Sequence, residues 1–231
     1  MAETHEEQHR QLSDGWARAS IFGMADGLVT NVSLMLGIAG SHAATHDAIR
    51  LAGIAGLVAG GFSMGSGEYL SVRAQKELFE REIEIERRSL AESPIEERLE
   101  LVQLFESRGV DPDLAGKLAD ELMKDPELAL ITHTREELGI DPSSVGSPGR
   151  AATGSLVAFG FGALIPLVPW LVTSSGRPIG ISVGLGGASA LMLGGGIGRL
   201  TGRGMVRSAT RFLLISGFAA GVTYLVGHFV G

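Results

Sequence analysis

The chain has 231 residues, 34 of them glycine, and carries 26 acidic against 19 basic side chains for a formal charge of −7. Its mean hydropathy of +0.24 sits oddly with 19% charged residues, and the conflict resolves by segregation: residues 73–150 hold 19 acids and 11 basic residues, a net −8, which leaves the rest at +1. The charge has the wrong sign for a nucleic-acid partner, and with no cysteine, disulfides, thiolate zinc sites and iron–sulfur clusters are excluded.

Residues 1–15 are polar and read as an N-terminal cytosolic arm; they lack the basic start and apolar core of a signal peptide. Residues 16–72 hold two expected membrane spans, from about Trp16 to Gly40 and about Ile49 to Val72. A short loop with His42, His46 and Asp47 joins them. Tyr69 falls near the cytosolic interface, where amphipathic rings concentrate. No Pro or Gly follows Gly67 until Pro94, so the second span continues as an acidic helix to about Ala91.

That helix opens an acidic helical insert over 73–141. Ser93-Pro94-Ile95-Glu96 combines a capping box with proline at the first helical position, and Gly109 stops the helix that follows. Asp111-Pro112 begins a third helix, to about Lys124, and Asp125-Pro126 a fourth, ended by Gly139. Residues 142–150 are a linker. Residues 151–231 hold three more spans, about 152–173, 179–200 and 206–230, each longer than the roughly 20 residues that a bilayer requires. Pro166 and Pro169 should kink the third. Gly56/Gly60, Gly61/Gly65, Gly180/Gly184 and Gly194/Gly198 have the small-residue spacing that lets helices approach in lipid.

The predicted fold is therefore an all-α membrane protein: five transmembrane helices with a cytosolic helical insert between the second and third. Arg199, Arg203, Arg207 and Arg211 surround the last loop, against Arg177 alone in the loop before it. By the positive-inside rule the N-terminus and insert are cytosolic and the C-terminus lies on the far side. The lack of a targeting peptide fits a bacterial inner membrane; a vacuolar membrane stays open.

Several residues carry chemistry. Asp26 is an acid inside a span, with Thr30, Asn31 and Ser33 just beyond it. An ionised acid there costs on the order of 2.5–3.5 kcal/mol, so it faces a partner, a cavity or an ion, unless it lies nearer the interface or is held protonated. Met64 and Glu68 share a helix face at i, i+4 and pair a thioether with a carboxylate. That mixture suits Fe²⁺, Mn²⁺, Co²⁺ or Zn²⁺ better than Mg²⁺ or Ca²⁺. The alternative for Glu68 is interfacial: a cap, or a pair with Arg73. In the insert, Glu82/Glu86 and Glu97/Glu100 put like charges on one face, which a divalent ion would relieve. The plainer reading is a solvated face with pairs such as Glu77–Arg81 and Glu84–Arg88. His42, His46 and His228 read as solvated or structural. No catalytic arrangement stands out, so no enzyme and no organic cofactor are expected.

The strings DGLVTN at Asp26 with SLMLGIAG after it, GGFSMGSGEYLSVRAQKE from Gly61, and EELGI at Glu136 resemble the vacuolar iron transporter family, in its form with a cytosolic metal-binding insert. The resemblance implies a homodimer of five-span protomers with the ion path between the first spans, and proton-coupled export of Fe²⁺, often Mn²⁺, from the cytosol. It places Asp26 and Met64 on the path, and Glu86, Glu97, Glu100 and Glu137 in the metal-binding insert. Three departures stand out. Ser89 replaces a usual glutamate, for which Glu82 or Glu92 would compensate; His133 replaces a usual methionine; and an acid common near Gly56 is missing.

The reading is a divalent-metal transporter in the lipid bilayer. Its rivals are a membrane-anchored metal sensor or storage-partner module without transport, and an ion channel.

Overall fold

The computed structural model describes residues 15–139, 146–173 and 178–231, with side chains from residue 19 onward. Residues 1–14 of the expected N-terminal arm, residues 142–145 of the linker and Arg177 lie outside the described residues, and the last three linker residues are the first turn of a helix. The helices are α1 Gly15–Gly40, α2 His46–Glu92, α3 Pro94–Ser107, α4 Pro112–Leu122, α5 Pro126–Glu136, α6 Pro148–Val172, α7 Ile179–Leu200 and α8 Met205–Val230. Five of them, α1, α2, α6, α7 and α8, are long and apolar enough to cross a membrane, and the short helices fall between the second and third. This is the architecture that the hydropathy pattern predicts.

Helix α2 has 47 residues. At about 1.5 Å per residue it is roughly twice as long as a hydrocarbon core about 30 Å thick requires. Its apolar start and charged end belong to different compact units: residues 1–70 with 148–231, and residues 71–147.

In the first unit, α1 packs against α6, α7 and α8, and α7 packs against α6 and α8. Lipid supplies no hydrophobic drive between helices, so contact depends on small residues. A Cβ at Gly162 would meet Leu28 N at 2.9 Å, and one at Gly27 would meet the Phe159 carbonyl carbon at 2.8 Å, so α1 and α6 touch backbone to backbone. Gly194 and Gly198 bring α7 onto Ser208 of α8, and Gly65 sits against Leu156. Gly180 and Gly184 differ from expectation: a Cβ at either meets nothing within 4 Å, so this pair joins no helices within the chain.

Pro166 and Pro169 stand inside one continuous α6. Proline carries no N–H, so the carbonyls of Gly162 and Ile165 lose their usual helical donor. Ser182 Oγ donates to the Pro166 carbonyl at 2.8 Å and accepts from Trp170 Nε1 at 2.8 Å. Trp170 then completes an apolar cluster with Met35, Ile49 and Leu167.

In the second unit, α3 packs on α4 and α4 on α5. Asp111 caps α4 by accepting from Asp113 N at 3.0 Å, and Asp125 caps α5 by accepting from Glu127 N at 3.0 Å. The capping box at Ser93 does not form. Its side chain makes no cap bond, and its carbonyl takes the Glu96 and Glu97 amides at 3.0 and 3.1 Å instead. Gly109 turns the chain with φ +88° after α3, and Gly139 with φ +64° after α5. Arg98 binds Asp120 at 2.5 Å and Arg108 binds Glu136, tying α3 to both following helices around Leu101, Ala115, Ala119 and Leu130.

Candidate metal centre

Three helices of the second unit send polar side chains to one place. Glu86 comes from the charged end of α2, Glu97 and Glu100 from α3, and His133 from α5, with Glu137 at the α5 C-cap. His133 Nδ1 lies 3.0 Å from Glu86 Oε1, 3.5 Å from Glu97 Oε2 and 3.5 Å from Glu137 Oε2. One ligand atom each from Glu86, His133 and Glu137 falls within 4.8 Å of the others, a spacing that can hold a metal ion.

Burial makes the cluster unusual. Glu86 and Glu97 are each only 8% exposed and His133 1%, whereas acids are almost never buried unless paired. Glu86 Oε1, Glu97 Oε2 and His133 Nε2 are buried without a hydrogen-bond partner. An imidazolium would offset one carboxylate of four, and a divalent cation supplies the missing charge. The strain shows in the acidities. Burial, then the charges of Glu97, Glu137 and Glu100, push the Glu86 carboxyl up to about 7. Glu100 is raised as well, by burial and then by Glu97 and Glu137, although His133 works against this.

The donor set is one imidazole nitrogen among carboxylates. Mg²⁺ and Ca²⁺ prefer shells made only of oxygen, while Fe²⁺, Mn²⁺, Co²⁺ and Zn²⁺ accept a nitrogen with oxygens.

The sequence matches the profile of the VIT family over residues 17–228. The chain is a member of the VIT family.

This VIT-family chain is 34% identical over 230 residues to "Vacuolar iron transporter" of Acanthamoeba castellanii, covering 96% of the chain and 82% of that protein. It is 29% identical over 225 residues to "Vacuolar iron transporter 1" of Oryza sativa subsp. japonica, covering 95% and 88%. To "Vacuolar iron transporter homolog 2" of the same plant it is 34% identical over 222 residues, covering 91% and 88%.

Of the expected insert ligands, the VIT-family fold gathers Glu86, Glu97, Glu100 and Glu137. Glu82 stays half-buried one turn before Glu86 and adds no atom to the group. His133 stands at the middle, a possible donor that helix spacing did not single out. Its signal was present as the imidazole four residues before Glu137, and its other neighbours are distant in sequence. The surrounding glutamates pair mostly as a solvated face does. Glu84 meets Arg87 at 3.2 Å and Arg88 at 3.8 Å, while Glu77 pairs with Arg73 at 2.6 Å rather than with Arg81.

In the spans, Thr30 donates to Asp26 at 3.3 Å. Asn31 is fully buried, and its amide donates to the Ala163 carbonyl at 2.7 Å, which gives it a clamp between α1 and α6. Its Oδ1 would lie 2.8 Å from a Cβ at Gly56. The acid missing near Gly56 thus has no room there unless Asn31 moves. Met64 and Glu68 are half-buried on α2, and no ion pair or hydrogen bond joins them to Asp26 among the described residues.

Proposed function

We propose that the protein carries Fe²⁺, and also Mn²⁺, out of the cytosol. The observation that supports this most directly is the cluster of buried Glu86, Glu97 and His133 with exposed Glu100 and Glu137, in a chain with five apolar spans. The names of its relatives point to iron as the cargo. In this reading the insert, residues 73–141, lies in the cytosol and captures the ion. Residues 16–72 and 151–231 form the transmembrane part, and Asp26, Met64 and Glu68 line the path, with Asn31 fixing the helix that carries Asp26. The protein works as a homodimer and exchanges the metal for protons through its carboxylates. Arginines crowd the loop between α7 and α8, which supports a cytosolic side for that loop and for the insert. A bacterial inner membrane draws no support from the relatives, which are named as vacuolar proteins.

Asp26 and Met64 favour transport over a sensor or storage-partner module, since binding through the insert needs neither. The test is Fe²⁺ flux through purified protein in proteoliposomes. Flux that ignores an imposed pH step removes the proton exchange, and metal binding without flux removes the transporter.

A further inference from the structure

The hairpin between α7 and α8 holds a second set of charged groups with no part in the metal site. Residues 199–211 contain Arg199, Arg203, Arg207 and Arg211 and no acid, and the chain has no Asp or Glu after Asp141. Among the described residues none of the four forms an ion pair. Orientation by positive charge requires only arginines near a span end; it does not require a pocket, and here there is one. It has a volume of about 490 Å³ and is lined by Arg203, Arg207, Ser208 and Arg211 with Gly202 and Gly204. Continuous with it, an open face of α8 carries Arg207, Thr210, Arg211, Leu214 and Ile215. Arg207 and Arg211 border both.

The hairpin is built to hold this arrangement. Gly198 is packed against Ser208, where a Cβ would come within 2.8 Å of the serine Cβ, and Arg203 N donates to the Gly198 carbonyl at 3.0 Å. Gly202 and Gly204 turn the chain with φ +66° and +53°. Arg207 and Arg211 are spaced at i, i+4 on α8, so their guanidinium groups project from one side, and Arg203 joins them from the turn before Gly204. Gly204 is the N-cap of α8 and provides no capping side chain, so the first-turn N–H groups and the positive helix end add to the arginines.

We propose that this is a binding site for the headgroup phosphate of an anionic glycerophospholipid. The planar forks of Arg207 and Arg211 match phosphate oxygens in pairs. The open face of α8 favours a lipid over a free anion. It leads from those two arginines to Leu214 and Ile215, which are 66% and 59% exposed on a helix long and apolar enough to span the bilayer. A phosphate at the arginines thus has its acyl chains running along α8. Basic pockets at the ends of membrane helices recognise headgroups in this way.

The experiment is native mass spectrometry of the full-length protein in detergent with equal phosphatidylglycerol and phosphatidylcholine, paired with thermal unfolding in each lipid. The wild type should retain phosphatidylglycerol about tenfold more than phosphatidylcholine and unfold at a higher temperature in it, the scale set by one charge-assisted hydrogen bond. Arg207→Gln and Arg211→Gln should each lower that preference toward parity. Arg150→Gln, which removes a charge at the start of α6, should not. Excess inorganic phosphate should leave the lipid in place. Equal retention of the two lipids by the wild type overturns the proposal without reference to any variant. So does an effect of Arg150→Gln as large as that of Arg207→Gln, and displacement of the lipid by inorganic phosphate makes the site one for a free anion instead.

Discussion

His133 Nδ1 stands 3.0 Å from Glu86 Oε1, and that oxygen receives no hydrogen bond. Two buried polar atoms face each other at a distance that a shared cation would explain. In the proposed capture site the imidazole turns a cluster of carboxylates into a mixed nitrogen and oxygen donor set, which favours transition metals over Mg²⁺ and Ca²⁺.

His133→Ala should lower the affinity of the full-length protein for Mn²⁺ or Co²⁺ by at least about tenfold, the order found when a metal-site residue is lost. His133→Gln should abolish the nitrogen coupling in the Mn²⁺ electron spin-echo spectrum even where Mn²⁺ still binds. An unchanged nitrogen signal places the metal elsewhere.

Acidity gives a second check. The Glu86 carboxyl, pushed up to about 7 by burial and then by Glu97, Glu137 and Glu100, holds its proton more tightly in the folded insert than in the unfolded chain. Its contribution to stability is therefore full below its ordinary pKa of 4.5 and is lost as pH rises through about 7. A metal competes with that proton. Metal affinity should fall by up to about tenfold per pH unit below 7 and level off above it. Titration calorimetry in buffers of different ionisation heat would read the released proton; affinity independent of pH contradicts the assignment.

Capture and passage should separate in flux assays. Asp26→Ala should abolish Fe²⁺ flux while leaving metal binding to the insert intact. Glu97→Ala should raise the concentration needed for half-maximal flux and leave the maximal rate largely unchanged. Equal loss of both properties in both variants contradicts the division of roles.

Packing in the membrane unit predicts a sharp contrast between glycines. Gly162→Val places a side chain against Leu28 N and the Met24 carbonyl, where backbone cannot yield. It should lower the unfolding temperature in detergent or prevent recovery of folded protein. Gly180→Ala, with open space within 4 Å, should have little effect.

The five spans, the long α2 and the three proline-led helices were legible in the sequence because hydropathy, charge runs and Asp-Pro starts are local signals. The clustering of Glu86, Glu97, Glu100 and Glu137 was legible through the family resemblance, since helix spacing left the solvated face open. His133 was legible only as the replacement of a usual methionine, because its position beside Glu86 and Glu97 depends on how α5 folds back, held by contacts such as Arg108 with Glu136. Asn31 stood out in the sequence as one of three polar residues just beyond Asp26. Its bond to the Ala163 carbonyl comes from the close approach of α1 and α6, which no local pattern reports. Ser93 shows the converse case, a good local signature whose hydroxyl makes no cap bond while its carbonyl takes the amides.

The central claim is that metal moves across the membrane, driven by protons. The direct measurement places purified full-length protein in proteoliposomes with an acidic interior, supplies Fe²⁺ outside, and follows lumenal Fe²⁺ and pH together. The account predicts that Fe²⁺ accumulates above its external concentration while the lumen becomes more alkaline, and that a protonophore stops both. Fe²⁺ that binds to the protein but never enters, or that enters only to equality with the outside, would contradict it.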